Sequence, residues 1–329
     1  MGLPVSILDL SPVGGGVGPT QAIRDSIALA IEADRLGFTR YWVAEHHNMA
    51  SIATSAPEVL IAHIAAVTTR IRVGAGGIMV PNHSPLHVVE AFRTLEALHP
   101  GRIDLGLGRA PGTDPVTSRA LRRTEDPHVN EMLAELLAFE HGHFPPAHPY
   151  HAITAMPSDI RLSSIWMLGS TMTGAAIAAT LGLPFAFAGH FAMKEARHAI
   201  ERYKLAFEPS PSLASPYAMI AVTCVCGEDE ADALRVAAPM RVAIVKHRTG
   251  RREPILGIDE ALAYPFTPDE QAIADEFLDG AIIDGPARAA TRLRDLARDV
   301  GADEVMLSTL VPSLESRRAS LQRLARELL

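Results

Sequence analysis

Short apolar runs rich in small and β-branched residues alternate along the chain with longer segments whose apolar positions recur at helical spacing. Eight runs read as strands: Val5–Leu10, Arg40–Ala44, Ile71–Val80, Ile103–Leu107, Ile165–Leu168, Phe185–Ala188, Tyr217–Cys226 and Glu304–Ser308. Between them Ile23, Ile27, Ala30 and Ile31 share one helical face, as do Leu293, Leu296, Ala297 and Val300 behind a Gly285-Pro286 start. Leu314, Leu321, Leu324 and Leu328 give the last helix the same stripe. Strand then helix, repeated eight times, predicts an α/β fold with the parallel strands closed into a (β/α)8 TIM barrel rather than an open doubly wound sheet. Two stretches break the rhythm, Gly142 to Asp159 and Lys246 to Pro268, and both read as loop insertions because βα units resume after each. The expectation is one domain over residues 1–329, since barrels commonly exceed the average domain length.

Composition sharpens this picture. Hydrophobic residues make up 48% of the chain, which suits strands buried on both faces. A net charge of −8 gives no electrostatic reason to bind nucleic acid or an anionic membrane. No apolar run approaches the ~18 residues of a membrane span, and Met1 to Val5 lacks the basic and apolar regions of an export signal. A cytoplasmic location is expected. The two cysteines, Cys224 and Cys226, fall on one face of a strand and read as small core residues. His141, His143, His148 and His151 lie among prolines, with no cysteine or carboxylate at ligand spacing, so no metal site is assigned.

Barrel function sits at the C-terminal strand ends, so the residues just past each apolar run carry the chemistry. After the second strand comes Glu45-His46-His47, where adjacent residues point to opposite sides and only one imidazole can face the mouth. It reads either as a proton-handling group or as an anchor for the loop. The third strand carries Gly74, Gly76 and Gly77, whose lack of side chains implies close approach by another backbone or a flat ligand. The fourth contains Gly106, Gly108 and Gly112, but their spacing and Pro111 do not make a dinucleotide fingerprint. Arg109, just past it, offers a fork of donors suited to phosphate or carboxylate. After the fifth strand, Gly169-Ser170-Thr171-Met172-Thr173 opens a helix, with Ser170 as its expected N-cap. Free N–H groups, the helix dipole and clustered hydroxyls read either as an anion site suited to a phosphate monoester or as a helix cap with no ligand.

The segments Trp42 to His47, Gly74 to Pro81, Gly101 to Gly112 and Trp166 to Thr173, with Leu181 to Ala188 and Gly301 to Leu307, together resemble the bacterial luciferase-like flavin monooxygenases. The resemblance keeps the family's order over most of the chain. It implies FMN, arriving reduced as a co-substrate, at the C-terminal mouth, with His46 as the catalytic histidine rather than His47. It implies a non-proline cis peptide beneath the flavin at Gly76-Gly77. It also implies phosphate contacts from Arg109, Ser170 and Thr173, with the Gly169 backbone nearby, instead of the common barrel position after the seventh and eighth strands. Expected partners are dioxygen, a small organic substrate, a separate NAD(P)H-dependent flavin reductase and a second copy of the chain in a homodimer. Gly169 and Gly108 stand where bacterial luciferase has a carboxylate and a cysteine, so the barrel and flavin site carry over but light emission does not. Two other readings keep the barrel: deazaflavin-dependent hydride transfer, and flavin binding without catalysis.

Overall fold

The computed structural model describes residues 2–122 and 128–329. Its strands are β1 (Val5–Asp9), β2 (Arg40–Val43), β3 (Arg72–Met79), β4 (Ile103–Gly108), β5 (Ile165–Gly169), β6 (Phe185–Ala188), β7 (Ala218–Cys226), β8 (Ile282–Asp284) and β9 (Glu304–Ser308). All pairings among them are parallel. The order β1-β2-β3-β4-β5-β6-β7-β9 closes on itself, with Phe185 opposite Ala218, Met219 opposite Glu304 and Val5 opposite Val305. This is the expected barrel, with its eight strands where the apolar runs placed them to within one or two residues. β8 was not foreseen. It pairs only with the upper end of β7, Ile282 opposite Cys224, and three residues are too few to show a period.

The barrel wall works because alternate residues face opposite ways. Outward-facing Val5, Ile7, Tyr41, Val43, Val73, Leu105 and Phe185 join the helices in the largest apolar cluster. Those helices start and stop where the sequence indicates. Pro286 opens Pro286–Val300, and Gly301 ends it with φ 71°, a left-handed conformation that costs glycine little. Inward-facing Leu8, Trp42, Trp166, Ala186, Met219 and Met306 fill the interior. Trp42 and Trp166 meet edge to face, with centroids 5.2 Å apart. Such a pair adds about 0.5–1.5 kcal/mol beyond its area burial.

Two tryptophans inside one small barrel require small neighbours. A Cβ on Gly74 would lie 2.9 Å from Trp42 Nε1 and 2.5 Å from the Asp104 carbonyl oxygen. Below the tryptophans, charge closes the floor. Arg40 reaches Asp104 at 2.8 Å and Glu304 at 3.0 Å, Arg72 reaches Asp104 at 2.6 Å, and Tyr217 donates to Glu304 at 2.8 Å. Burial would push the Asp104 carboxyl up, but Arg40 and Arg72 outweigh it and hold it below its ordinary value. The N-terminal end is thereby sealed, which leaves the C-terminal mouth for chemistry. Among the described residues no helix is long and apolar enough to cross a membrane.

Candidate active site

The chain directly beyond β2 turns on a buried carboxylate. Glu45 is fully enclosed and accepts hydrogen bonds from the Met79 backbone N–H at 2.8 Å, Asn82 Nδ2 at 2.9 Å, His83 Nε2 at 2.9 Å and His47 Nε2 at 2.9 Å. Burial pushes its carboxyl up, yet the hydrogen bonds from His83 and Asn82 and the charge of His83 prevail, so it stays below its ordinary value. The sequence pointed to the histidines and missed Glu45, which fixes the geometry of this corner. His47, tied to Glu45, is the loop anchor.

His46 faces the other way. Its backbone N–H donates to the Thr54 carbonyl at 2.9 Å, and its Nδ1 is enclosed with no partner among the described residues. Burial drives this imidazole down to about 4; Glu45 opposes the shift, and His47 and His247 add to it. At neutral pH His46 is therefore uncharged, the state in which an imidazole can accept a proton.

β3 and β4 present the glycines. The Gly76-Gly77 peptide bond is cis. A Cβ on Gly76 would lie 2.8 Å from Leu8 Cδ1 and 3.0 Å from Trp42 Cε3; one on Gly77 would lie 2.7 Å from the Gly106 carbonyl oxygen. Packing of protein on protein therefore already demands glycine at both positions, with a register shift between Ala75 and Ile78 marking the irregularity. Of the two roles open to these glycines, close approach of backbone and side chains is the one the structure displays. Gly106 likewise sits inside β4, where a Cβ would fall 2.1 Å from the Ala75 oxygen, so its run is a packing feature.

β4 and β5 carry the anion-binding candidates. Leu107 lies opposite Met167, and Arg109 follows directly past the end of β4 as Ser170 follows the end of β5. The Arg109 guanidinium has no hydrogen-bond or ion-pair partner among the described residues. The helix beyond β5 is Met172–Thr180, and its N-cap is Thr171, whose hydroxyl accepts from the Gly174 N–H at 3.4 Å. This corrects the expected cap at Ser170. Ser170 lies one residue before the cap, so its hydroxyl is not engaged in capping, while Thr173 stands in the first turn with its side chain exposed. A Cβ on Gly169 would press to 3.3 Å on Gly174 Cα, so strand and helix backbones touch there.

His46, Gly76, Gly77, Arg109, Gly169, Ser170 and Thr173 thus lie on four adjacent strands, β2 to β5, or on the turns beyond their C-terminal ends. Part of this end is strapped. Arg252 pairs with Asp114 at 3.0 Å, Asn48 donates to Asp114 at 2.9 Å, and Ile255 exchanges backbone hydrogen bonds with Val13 and Gly15. The stretch from Lys246, expected as a loop throughout, contains the last turn of the helix Glu230–Arg248 and a short helix Ile258–Leu262. Its linking segment straps the loops beyond β1, β2 and β4 together. A separate cavity of about 20 Å³, lined by Leu29, Val236 and Arg317, lies away from this cluster and contains none of its residues.

The luciferase-like monooxygenase family model matches residues 3–304. A luciferase-like monooxygenase of Escherichia coli (strain K12) is 38% identical over 324 residues, 96% of this chain and 94% of that protein. The N-acetyl-S-alkylcysteine monooxygenase of Bacillus subtilis (strain 168) is 37% identical over 268 residues, 79% and 78% of the two chains. Among solved structures, apo-MsnO8 superposes with a TM-score of 0.89 at 35% identity, over 99% of this chain and 97% of that one. Two more distant structures share the fold. The FMN complex of the oxygenating constituent of 3,6-diketocamphane monooxygenase from Pseudomonas putida has a TM-score of 0.74 at 17% identity, over 100% and 98% of the chains. An F420-dependent secondary alcohol dehydrogenase has a TM-score of 0.67 at 13% identity, over 98% and 99%.

Proposed function

The chain belongs to the luciferase-like monooxygenase family of oxidoreductases, and from that premise we propose that it is an FMN-dependent monooxygenase of the two-component type, working as one barrel domain. One atom of dioxygen enters a small organic substrate and the other leaves as water, with two electrons and two protons drawn from reduced FMN. A separate NAD(P)H-dependent reductase would supply that reduced flavin. The single observation that carries the reading is that Arg109 and Ser170 each lie just past the ends of the neighbouring strands β4 and β5, Ser170 at the start of a helix, and that neither side chain has a hydrogen-bond partner among the described residues.

These donors fit a phosphate monoester. Arg109 would pair with it, Ser170 and Thr173 would donate from their hydroxyls, and the free N–H groups of the first helical turn would complete the shell. The mouthward face of the Gly76-Gly77 peptide would lie against the flat ring. Reduced FMN supplies the electrons that activate dioxygen; the protein supplies position, exclusion of water and a proton acceptor. His46 is suited to the last role because it is neutral at working pH and its enclosed Nδ1 has no partner among the described residues. A cytoplasmic setting agrees with the buried free thiols of Cys224 and Cys226.

A homodimer belongs to the same proposal. The helix Pro57–Val67 is apolar nearly all round, yet it buries only Pro57, Leu60, Ile61, Ile64 and Ala65 against its own barrel. Val59 remains 68% exposed and Val67 40%. A helix apolar on all sides is one whose outward face is also covered, here by a second copy. Fluorescence titration with FMN, riboflavin and a deazaflavin tests the cofactor: FMN should bind at least tenfold tighter than riboflavin. Equal binding of FMN and riboflavin would remove the phosphate site, and exclusive binding of the deazaflavin would replace oxygen chemistry with hydride transfer.

A further inference from the structure

The wall facing the glycines carries a pair of hydroxyls. In the ring of eight strands β7 and β9 stand four places from β3 and β4, across the barrel from Gly76 and Gly77. Thr223 of β7 and Ser308 of β9 are register partners in the parallel ladder, so their Cα atoms lie about 4.8 Å apart. Both face inward, since each stands two residues beyond a side chain of the interior cluster, Ala221 and Met306. Ser308 is the last residue of β9, at its C-terminal edge. Its partner on the other side is Leu8, whose Cδ1 would lie 2.8 Å from a Cβ on Gly76. One leucine thus separates the hydroxyl pair from the Gly76-Gly77 peptide.

The neighbouring hydroxyls serve the fold. Thr309 donates to Met240 Sδ at 3.4 Å and accepts the Val311 N–H at 3.3 Å, and Ser320 accepts the Cys226 N–H at 2.9 Å. Thr223 Oγ1 and Ser308 Oγ have no hydrogen-bond partner among the described residues, although both residues are only 6% exposed. A nearly buried hydroxyl left unpaired costs about 1–3 kcal/mol. Valine and alanine would fill the same space with no polar group to satisfy. The other inward-facing positions of these strands above the floor are Met219, Ala221 and Met306, none of them charged. An apolar lining with two adjacent neutral hydroxyls suits a small apolar molecule that bears one uncharged oxygen, and it gives no ion pair to a carboxylate.

We propose that Thr223 and Ser308 form the substrate subsite of this barrel and hold the carbonyl or hydroxyl oxygen of a neutral, mainly apolar molecule against the ring that rests on Gly76-Gly77. This rests on the reading of the mouth as a flavin site and goes beyond it by naming the substrate class and the residues that select it. The probes are 2-octanone and octanoate, equal in chain length, one neutral and one charged. Each is titrated into protein carrying 13C-methyl-labelled threonine, with and without oxidised FMN, and affinities are read from the ligand's own NMR signals. 2-Octanone should move the Thr223 methyl signal and bind at least about tenfold tighter than octanoate. Thr223→Val, which keeps the shape and loses the hydroxyl, and Ser308→Ala should each weaken 2-octanone by about two- to tenfold and leave FMN affinity unchanged. Thr223→Ser should restore it. No binding of 2-octanone, equal affinity in wild type and both variants, or tighter binding of octanoate would overturn the subsite and leave the flavin reading standing. A loss of FMN affinity in Thr223→Val or Ser308→Ala would also overturn it, by giving the pair to the cofactor. If FMN does not bind while 2-octanone still depends on both hydroxyls, the flavin reading fails and the subsite stands.

Discussion

The carboxylate of Glu45, at the end of β2, accepts the Nε2–H of His83, in the turn beyond β3, at 2.9 Å while it also takes the Met79 N–H. One buried group thus locks the exits of two neighbouring strands, and the direction in which His46 leaves the barrel depends on it. Glu45→Gln, which keeps shape but loses charge, should destabilise the fold by about 1.5–3 kcal/mol, the range for charge-assisted hydrogen bonds.

The sign of the pH dependence follows from the two partners. Glu45 is held below its ordinary 4.5, so its contribution is present above that value and is lost as pH falls through the lowered one. His83 is raised above its ordinary 6.5: burial pushes it down, but the hydrogen bond and charge of Glu45 prevail. Its contribution is complete below 6.5 and is lost as pH rises through the raised value. Urea unfolding of wild type and Glu45→Gln should therefore differ most between pH 4.5 and 6.5. A difference independent of pH would show that the charge is not what matters.

Ser170 and Thr171 separate a ligand role from a structural one. Thr171→Ala removes the cap of the helix Met172–Thr180 and should cost about 1 kcal/mol of stability. Ser170→Ala should leave the melting temperature unchanged and weaken FMN binding. Thermal melts and flavin titrations on the two variants check this, and a reversed pattern would restore Ser170 as the cap.

Arg109→Ala should weaken FMN by about 1.5–3 kcal/mol, roughly 10- to 150-fold, and leave riboflavin affinity unchanged. Equal losses for both ligands would place Arg109 against the ring or in the fold rather than at the phosphate.

Val59→Asp puts a charge on the outward face of Pro57–Val67. Sedimentation should shift from dimer to monomer, and the monomer's stability should stay within about 0.5 kcal/mol because the side chain is exposed. A variant that still sediments as a dimer would move the interface elsewhere.

Much of this was legible in the chain. All eight barrel strands announce themselves, because a strand buried on both faces is a short apolar run, and here helical segments separate each run from the next. β8 escapes, since Ile282-Ile283-Asp284 is too short to carry a pattern. Arg109, Ser170 and His46 could be singled out because they follow strand ends. Glu45 was hidden for a physical reason. A carboxylate beside two histidines suggests surface chemistry, and only the fold reveals that four donors converge on it. The glycines of β3 read two ways in the sequence, because both a flat ligand and an interior tryptophan ask for a missing Cβ.

Rapid mixing of anaerobic protein and photoreduced FMN with oxygenated buffer addresses the proposed chemistry most directly. Reoxidation of the protein-held flavin should proceed with kinetics distinct from free reduced FMN and should return to the free rate in Arg109→Ala at the same concentrations. Reoxidation at the free rate with wild-type protein in excess would contradict a flavin-dependent oxygen chemistry at this mouth.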